Sequence, residues 1–322
     1  MPSRNASSLK ALQESGTVVI ADTADLQQIA RFNPSEGTTN PSLLYLAAQQ
    51  PAYSHLLDKT IKYARTLSVT EAQRLGHAVE YLAVQFGCEI YKLTGRVSTE
   101  VDVSHSFDTL KTVEAALRVI KLYAAEGISK ESVRIKISAS WEGIQAARIL
   151  GKEHGISVLV TIVFGMVQAI TAAEAGVTCI APYIGRISDW HKTHGHVGAE
   201  DMGVKIVQDM QNYLRKYGHR TQLMGASFRN PGQVKNLAGA DLLTIAPGIL
   251  DLLDKSNEEV VPRLTAASAE QANMPQETYI NDEPKFRWTF NGDACAVEKS
   301  AEAMRRFAED TSALKELLSA LL

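Results

Sequence analysis

Short runs of β-branched and aliphatic residues alternate, from one end of the chain to the other, with longer stretches whose apolar residues recur every three or four positions. The first pattern suits strands buried on both faces, and the second suits helices that hide one stripe. Their regular alternation predicts parallel strands joined by crossover helices. Eight runs read as strands: residues 17–21, a short piece at 38–40, then 97–101, 133–138, 157–163, 177–182, 222–225 and 242–245. Eight parallel strands close a barrel, so the expected fold class is α/β, a (β/α)8 TIM barrel. The clearest helices of the outer ring are 72–86 and 107–126. After the eighth strand a polar, proline-containing segment, 256–284, leads to two additional C-terminal helices, 294–308 and 312–322, expected to pack across the barrel. No low-complexity linker or compositional break divides the chain, so residues 1–322 are expected to form a single barrel domain.

Composition narrows the function classes. The 322 residues are 45% apolar and 21% charged, enough for a sizeable core. Lys and Arg total 33 against 36 Asp and Glu, a formal charge of -3 that offers no positive field to a polyanion, so nucleic acid is not an expected partner. Cys88, Cys179 and Cys295 have neither disulfide nor zinc spacing, which fits a reducing, cytoplasmic compartment. Residues 1–17 are polar and helix-like, without the apolar core of a secretory signal. The longest apolar run, 156–170, falls short of the roughly 20 residues of a membrane helix and reads as a strand entering a helix. Neither a Gly-x-Gly-x-x-Gly turn, nor a phosphate-binding Gly-x-x-x-x-Gly-Lys-Ser/Thr loop, nor His-Glu-x-x-His occurs.

In such barrels the reactive groups sit at the carboxyl ends of strands, so the informative residues are polar ones inside or just after the apolar runs. These are Asp22, Asn40, Glu100, Lys136 within Val133-Arg134-Ile135-Lys136-Ile137, and Thr161. Burial disfavours an ammonium, so an inward lysine is expected to have a lowered pKa and a nucleophilic neutral amine, able to form an imine with a ketone. The same lysine could instead pair with a core carboxylate or point outward among the helices. Asp22 could equally cap the helix that follows it, and Asn40 could shape the turn before Pro41.

Four segments carry a family resemblance: Thr38-Thr39-Asn40-Pro41-Ser42; Gly95 through Asp102; Ile135-Lys136-Ile137-Ser138 with Trp141-Glu142-Gly143; and Met224-Gly225-Ala226-Ser227-Phe228-Arg229-Asn230. Together they resemble the transaldolases over residues 9–322. The resemblance implies that Lys136 holds a dihydroxyacetone unit, taken from fructose 6-phosphate or sedoheptulose 7-phosphate, as a Schiff base and passes it to an aldose phosphate in the pentose phosphate pathway. It further implies that Asp22 acts as general base, that Glu100 and Thr161 position a proton-shuttling water, and that Asn40 binds the fragment's hydroxyls. Arg186, Ser227 and Arg229 would hold phosphate, and Trp141 would pack near the lysine. No metal or organic cofactor is implied, the partners are sugar phosphates, and a homodimer is the family expectation.

The chain departs from the transaldolase pattern after the sixth strand. Ala181 and Tyr183 stand where serine and phenylalanine are usual, and this Ala-Pro-Tyr patch is similar to the fructose 6-phosphate aldolases, which release free dihydroxyacetone. Without that serine the fragment would lose a hydrogen bond worth about 0.5–1.5 kcal/mol, while Tyr183 adds a phenol beside the imine. Glu100 and the chain's length point back to transaldolase, since those aldolases carry glutamine there and are shorter. Phe164-Gly165-Met166 replaces a stretch usually containing serine, and the loop 191–201 is shorter than usual; His191, His194 and His196 within it lack a metal-site spacing. The leading expectation is thus a transaldolase; the alternatives are a fructose 6-phosphate aldolase or a catalytically weakened binding or regulatory paralogue.

Overall fold

The computed structural model describes residues 6–32, 34–196, 198 and 200–322. Eight strands pair in parallel and in chain order: β1 (Val18–Asp22), β2 (Gly37–Thr38), β3 (Val97–Glu100), β4 (Val133–Ser138), β5 (Ser157–Val163), β6 (Cys179–Pro182), β7 (Gln222–Gly225) and β8 (Leu242–Ile245). β8 closes on β1 through Val18 to Ala21 opposite Leu242 to Ile245, giving the closed (β/α)8 barrel that the alternating pattern predicts. β4, β5, β7 and β8 have the predicted limits. β2 keeps only two residues because Asn40 already caps the following helix, Pro41–Ala48.

Alternation along β4 shows how the barrel is filled. Ile135 and Ile137 are buried on the helix side, each contributing about 1.5–3 kcal/mol by burial. Arg134 and Lys136 turn the other way, into the barrel. The register sets Lys136 beside Glu100 of β3 and Leu159 of β5, so the strand ladder alone brings a lysine and a glutamate together.

The helices differ from expectation in three places. The first of the clear helices extends to Glu71–Thr94 and ends at Gly95, whose φ of +71° is the left-handed conformation glycine adopts without steric cost. The polar segment 256–284 contains the short helix Ala266–Gln271 and ends inside another, Glu283–Gly292, capped by Asp282. Pro284 marks that helix's first turn, where a missing N–H costs nothing, so proline signalled a start and not a loop. The two C-terminal helices are one continuous helix, Ala294–Ser319. Ser312 does not cap a new helix, because its hydroxyl donates back to the Ala308 carbonyl at 2.9 Å, and the buried Asp310 is held by Ser42.

That helix lies across the carboxyl end of the barrel, with Phe307 in the wall of the central cavity and Lys315 bonded to Asp102 at 3.2 Å. At the other end of the chain, Ser8–Glu14 is helical, and residues 1–5 of the expected N-terminal helix lie outside the described residues. Among the described residues no helix is long and apolar enough to cross a membrane.

Candidate active site

At the carboxyl ends of the strands a cavity of about 160 Å³ opens into the barrel. Its lining includes Asp22, Asn40, Lys136, Thr161, Ala181, Tyr183, Arg186 and Ser227, so eight residues chosen from the sequence converge on one space. Glu100 stands behind Lys136, its Oε2 lying 3.6 Å from Nζ, and both side chains are almost wholly buried. The lysine also donates to the Thr39 carbonyl at 3.0 Å. Two hard constraints thus aim the amine into the cavity.

The charge state of that amine corrects the sequence expectation. Burial opposes the ammonium, but the pull of the Glu100 carboxylate, and then of Asp22, outweighs it, and the pKa of Lys136 stands above the ordinary lysine value. The resting lysine is therefore charged. Burial, against the pull of Lys136, pushes Glu100 up to about 7. A carboxylate titrating near neutrality beside an ammonium can exchange a proton with it. Burial raises Asp22 as well, opposed by Lys136 and by a hydrogen bond with Thr38, which makes it a stronger base than a free carboxylate. Asp22 does not cap the next helix; Asp25 does, accepting from the Gln27 N–H at 2.9 Å.

Thr161, on the strand next to that of Lys136, and Tyr183 form a second polar contact, with Oγ1 and Oη 2.8 Å apart. The register between β5 and β6 shifts between Val160 and Val163, and Ile162 has a φ of +62°. For a β-branched residue that conformation is a real outlier, costing about 1–3 kcal/mol, and it lies beside the hydroxyl that meets Tyr183. The Phe164 ring packs edge-on against Tyr183 at 5.5 Å, fixing the phenol from behind. Burial raises the Tyr183 pKa despite Lys136, so the phenol stays protonated and can donate.

Asn40 serves two functions at once: its Oδ1 accepts from the Leu43 N–H at 3.0 Å, and the residue also lines the cavity. Arg186 rests 5.5 Å from the centre of the Tyr183 ring. Gly185 beside it is forced, since a Cβ there would come within 2.3 Å of the Ser227 carbonyl oxygen. Arg229 lies farther out, paired with Asp189 at 2.9 Å and donating to Ser227 Oγ at 3.2 Å. Trp141 packs on Phe286 at 5.4 Å and does not line the cavity. His191 belongs to the helix Ile184–Thr193 and His194 stacks on Trp190 at 4.0 Å; Val197 and Ala199 of this loop lie outside the described residues. Among the described residues no group of three or more His, Cys, Asp or Glu is placed to hold a metal.

Thr38, Ser42, Thr244 and Phe307 also line the cavity and were not singled out as site residues. Thr244 could have been found by the rule that found Lys136, because it interrupts Leu242-Leu243-Thr244-Ile245. Phe307 could not, since helical periodicity does not say which strand ends a helix will cross.

The family model for transaldolase/fructose-6-phosphate aldolase matches residues 19–318. The chain is 48% identical to the transaldolase of Kluyveromyces lactis over 319 residues, covering 98% of this chain and 96% of that protein. It is 47% identical to the transaldolase of Saccharomyces cerevisiae over 97% of this chain and 94% of that one. For the transaldolase of Bos taurus the identity is 45%, with 94% and 90% covered. A barrel of eight strands with a buried lysine and two carboxylates at its carboxyl end, matched at this identity over nearly its whole length, belongs to the transaldolase/fructose-6-phosphate aldolase family.

Proposed function

We infer that this protein is a transaldolase working through a Schiff base on Lys136. The observation that carries the reading is the cavity itself, which brings Lys136, Asp22 and Thr161 to one space with Glu100 3.6 Å behind the amine. Glu100 accepts the lysine's proton, the free amine adds to the ketone of a ketose phosphate, and the carbinolamine loses water to give a protonated imine. Asp22 then takes the proton of the hydroxyl adjacent to the carbon-carbon bond that breaks, and the electron pair flows into the imine. An aldose phosphate leaves, the enamine of dihydroxyacetone stays on Lys136, and reversal with a second aldose phosphate completes the transfer. The imine nitrogen is the electron sink throughout.

In this scheme Thr161 holds the water exchanged during dehydration, Asn40 offers its amide donors to the fragment's hydroxyls, and Arg186, Ser227 and Arg229 take the phosphate. Ala181 and Tyr183 leave the fragment without a serine contact but with a phenol bonded to Thr161. Glyceraldehyde 3-phosphate release from fructose 6-phosphate, with and without erythrose 4-phosphate, tests the assignment. Release that depends on the acceptor is expected; sustained release without it would assign the chain to the aldolase branch of the family.

We place the enzyme in the cytoplasm, a location supported by its three unpaired, buried cysteines. We also propose a homodimer, for which the exposed Phe107, Leu110 and Trp288 are the first side chains to examine. A dimer mass in solution supports it, and a monomer mass at assay concentration removes it.

A further inference from the structure

We propose that Asp201 and Gln233, which lie behind the site and touch no part of the cavity, are positioning residues that set its affinity for the phosphate end of the substrate. The proposal rests on reading Arg186, Ser227 and Arg229 as the phosphate contacts. Those three residues come from two separate segments, the helix Ile184–Thr193 after β6 and the turn after β7. A phosphate is bound tightly only where its donors are fixed relative to one another before it arrives.

One carboxylate fixes them. Asp201 Oδ1 caps the helix Met202–Lys216, accepting from the Gly203 and Val204 N–H groups at 3.0 and 3.2 Å. The same oxygen accepts from Ser188 Oγ at 2.5 Å, and Ser188 lies on the helix that carries Arg186. Asp201 Oδ2 accepts from Gln233 Nε2 at 2.9 Å, and that nitrogen also reaches Ser188 Oγ at 3.0 Å. The other end of the Gln233 amide closes the chain, its Oε1 accepting from the Arg229 N–H at 2.8 Å. Gln233 and Ser188 are buried, 2% and 1% exposed. The network therefore runs from the helix of Arg186, through a carboxylate and an amide, to the backbone of Arg229.

Three further observations say that this turn needs holding. Ser227 has a φ of +63°, a sparsely populated conformation for a residue with a Cβ, which only surrounding contacts maintain. The N-terminus of Met202–Lys216 is pressed against the first turn of Ile184–Thr193, since a Cβ on Gly203 would come within 2.1 Å of the Ile184 carbonyl oxygen. Burial works against the charge of Asp201, but hydrogen bonds from Ser188 and Gln233 hold its pKa below the ordinary value, so the clamp stays ionised across the working range. A buried polar network with these bonds satisfied is rigid, and losing one member loosens the geometry it imposes.

The test uses the full-length enzyme and reads KM against kcat. In Gln233→Leu, KM for fructose 6-phosphate and the inhibition constant of inorganic phosphate are both expected to rise about tenfold, with kcat falling less than about threefold. Gln233→Glu sets two carboxylates against each other and is expected to weaken phosphate further. The double variant Asp201→Asn, Gln233→Glu restores the pairing with donor and acceptor exchanged, and should return both constants to within about threefold of the parent enzyme. A purely structural role predicts a loss of active enzyme with unchanged KM, no change in phosphate inhibition, and no rescue; that result overturns the proposal. Should Gln233→Leu not fold, the exchanged pair decides alone. Arg186→Ala separates the two layers of argument. If it leaves phosphate inhibition unchanged, the phosphate reading fails and takes the proposal with it; if it weakens inhibition while the Gln233 variants do not, only the clamp fails.

Discussion

Two buried ion pairs sit inside this barrel on the same strand, two residues apart and with the same separation. Lys136 Nζ is 3.6 Å from Glu100 Oε2, and Arg134 Nε is 3.6 Å from Glu36 Oε2. Both lysine and arginine face inward, and burial raises the pKa of both glutamates. What separates them is access. The upper pair abuts the cavity at the carboxyl ends of the strands, while the lower pair is closed in, with Arg134 Nη2 donating to Gln222 at 3.0 Å. Under the proposed function, charge burial and pairing alone do not mark a reactive site; a paired charge beside a space that a substrate can fill does.

The largest expected effect tests the upper pair. Lys136→Met should lower the rate of dihydroxyacetone transfer by more than about 10⁴-fold, because no other group supplies the covalent step, while circular dichroism shows a folded barrel. Arg134→Met should do the opposite. It leaves Glu36 buried without its partner and is expected to cost about 3–5 kcal/mol in urea unfolding, with turnover per folded molecule nearly unchanged. Replacing both Arg134 and Glu36 by apolar residues should recover most of that stability. If Arg134→Met instead abolished turnover in folded protein, the contrast between the two pairs would collapse.

A pH profile sharpens the comparison. Below about 7 Glu100 already carries a proton and cannot accept the one Lys136 must lose; above it the carboxylate is free to do so. The ratio kcat/KM should therefore rise about tenfold per pH unit up to an apparent pKa near 7 and then level off, and Glu100→Gln should remove that limb along with most of the rate. The smallest effect belongs to Tyr183→Phe. It removes one hydrogen bond to Thr161, worth about 0.5–1.5 kcal/mol, so the transfer rate should change only a few-fold. Restoring Ser and Phe together at 181 and 183 should lower the ratio of free dihydroxyacetone to transferred product; an unchanged ratio would show that this patch does not govern the loaded enzyme.

The same two pairs show what the sequence could tell. The alternation of strand and helix periods specified eight strands and their closure, because each period follows from which faces are buried. Arg134 and Lys136 both interrupt Val-Arg-Ile-Lys-Ile; position near the carboxyl end of the run makes Lys136 the candidate, and the family resemblance gives it the covalent role. The charge state of Lys136 is not legible in the sequence, because Glu100 is 36 residues away and its effect depends on the β3–β4 register. The path of the C-terminal helix was illegible for a related reason. Asp310, Thr311 and Ser312 read as a helix break, yet the helix runs on over the site, with the Asp310 carboxylate taken up by Ser42 and by Arg306 one turn back, and the Ser312 hydroxyl by the Ala308 carbonyl.

In the proposed function, the accessible member of the two pairs, Lys136, is the group that bonds to substrate. Borohydride reduction in the presence of fructose 6-phosphate, followed by peptide mass mapping, tests it directly. One added dihydroxyacetone-derived group is expected, on Lys136, absent without substrate. A label on any other lysine, or none at all while turnover continues, would contradict it.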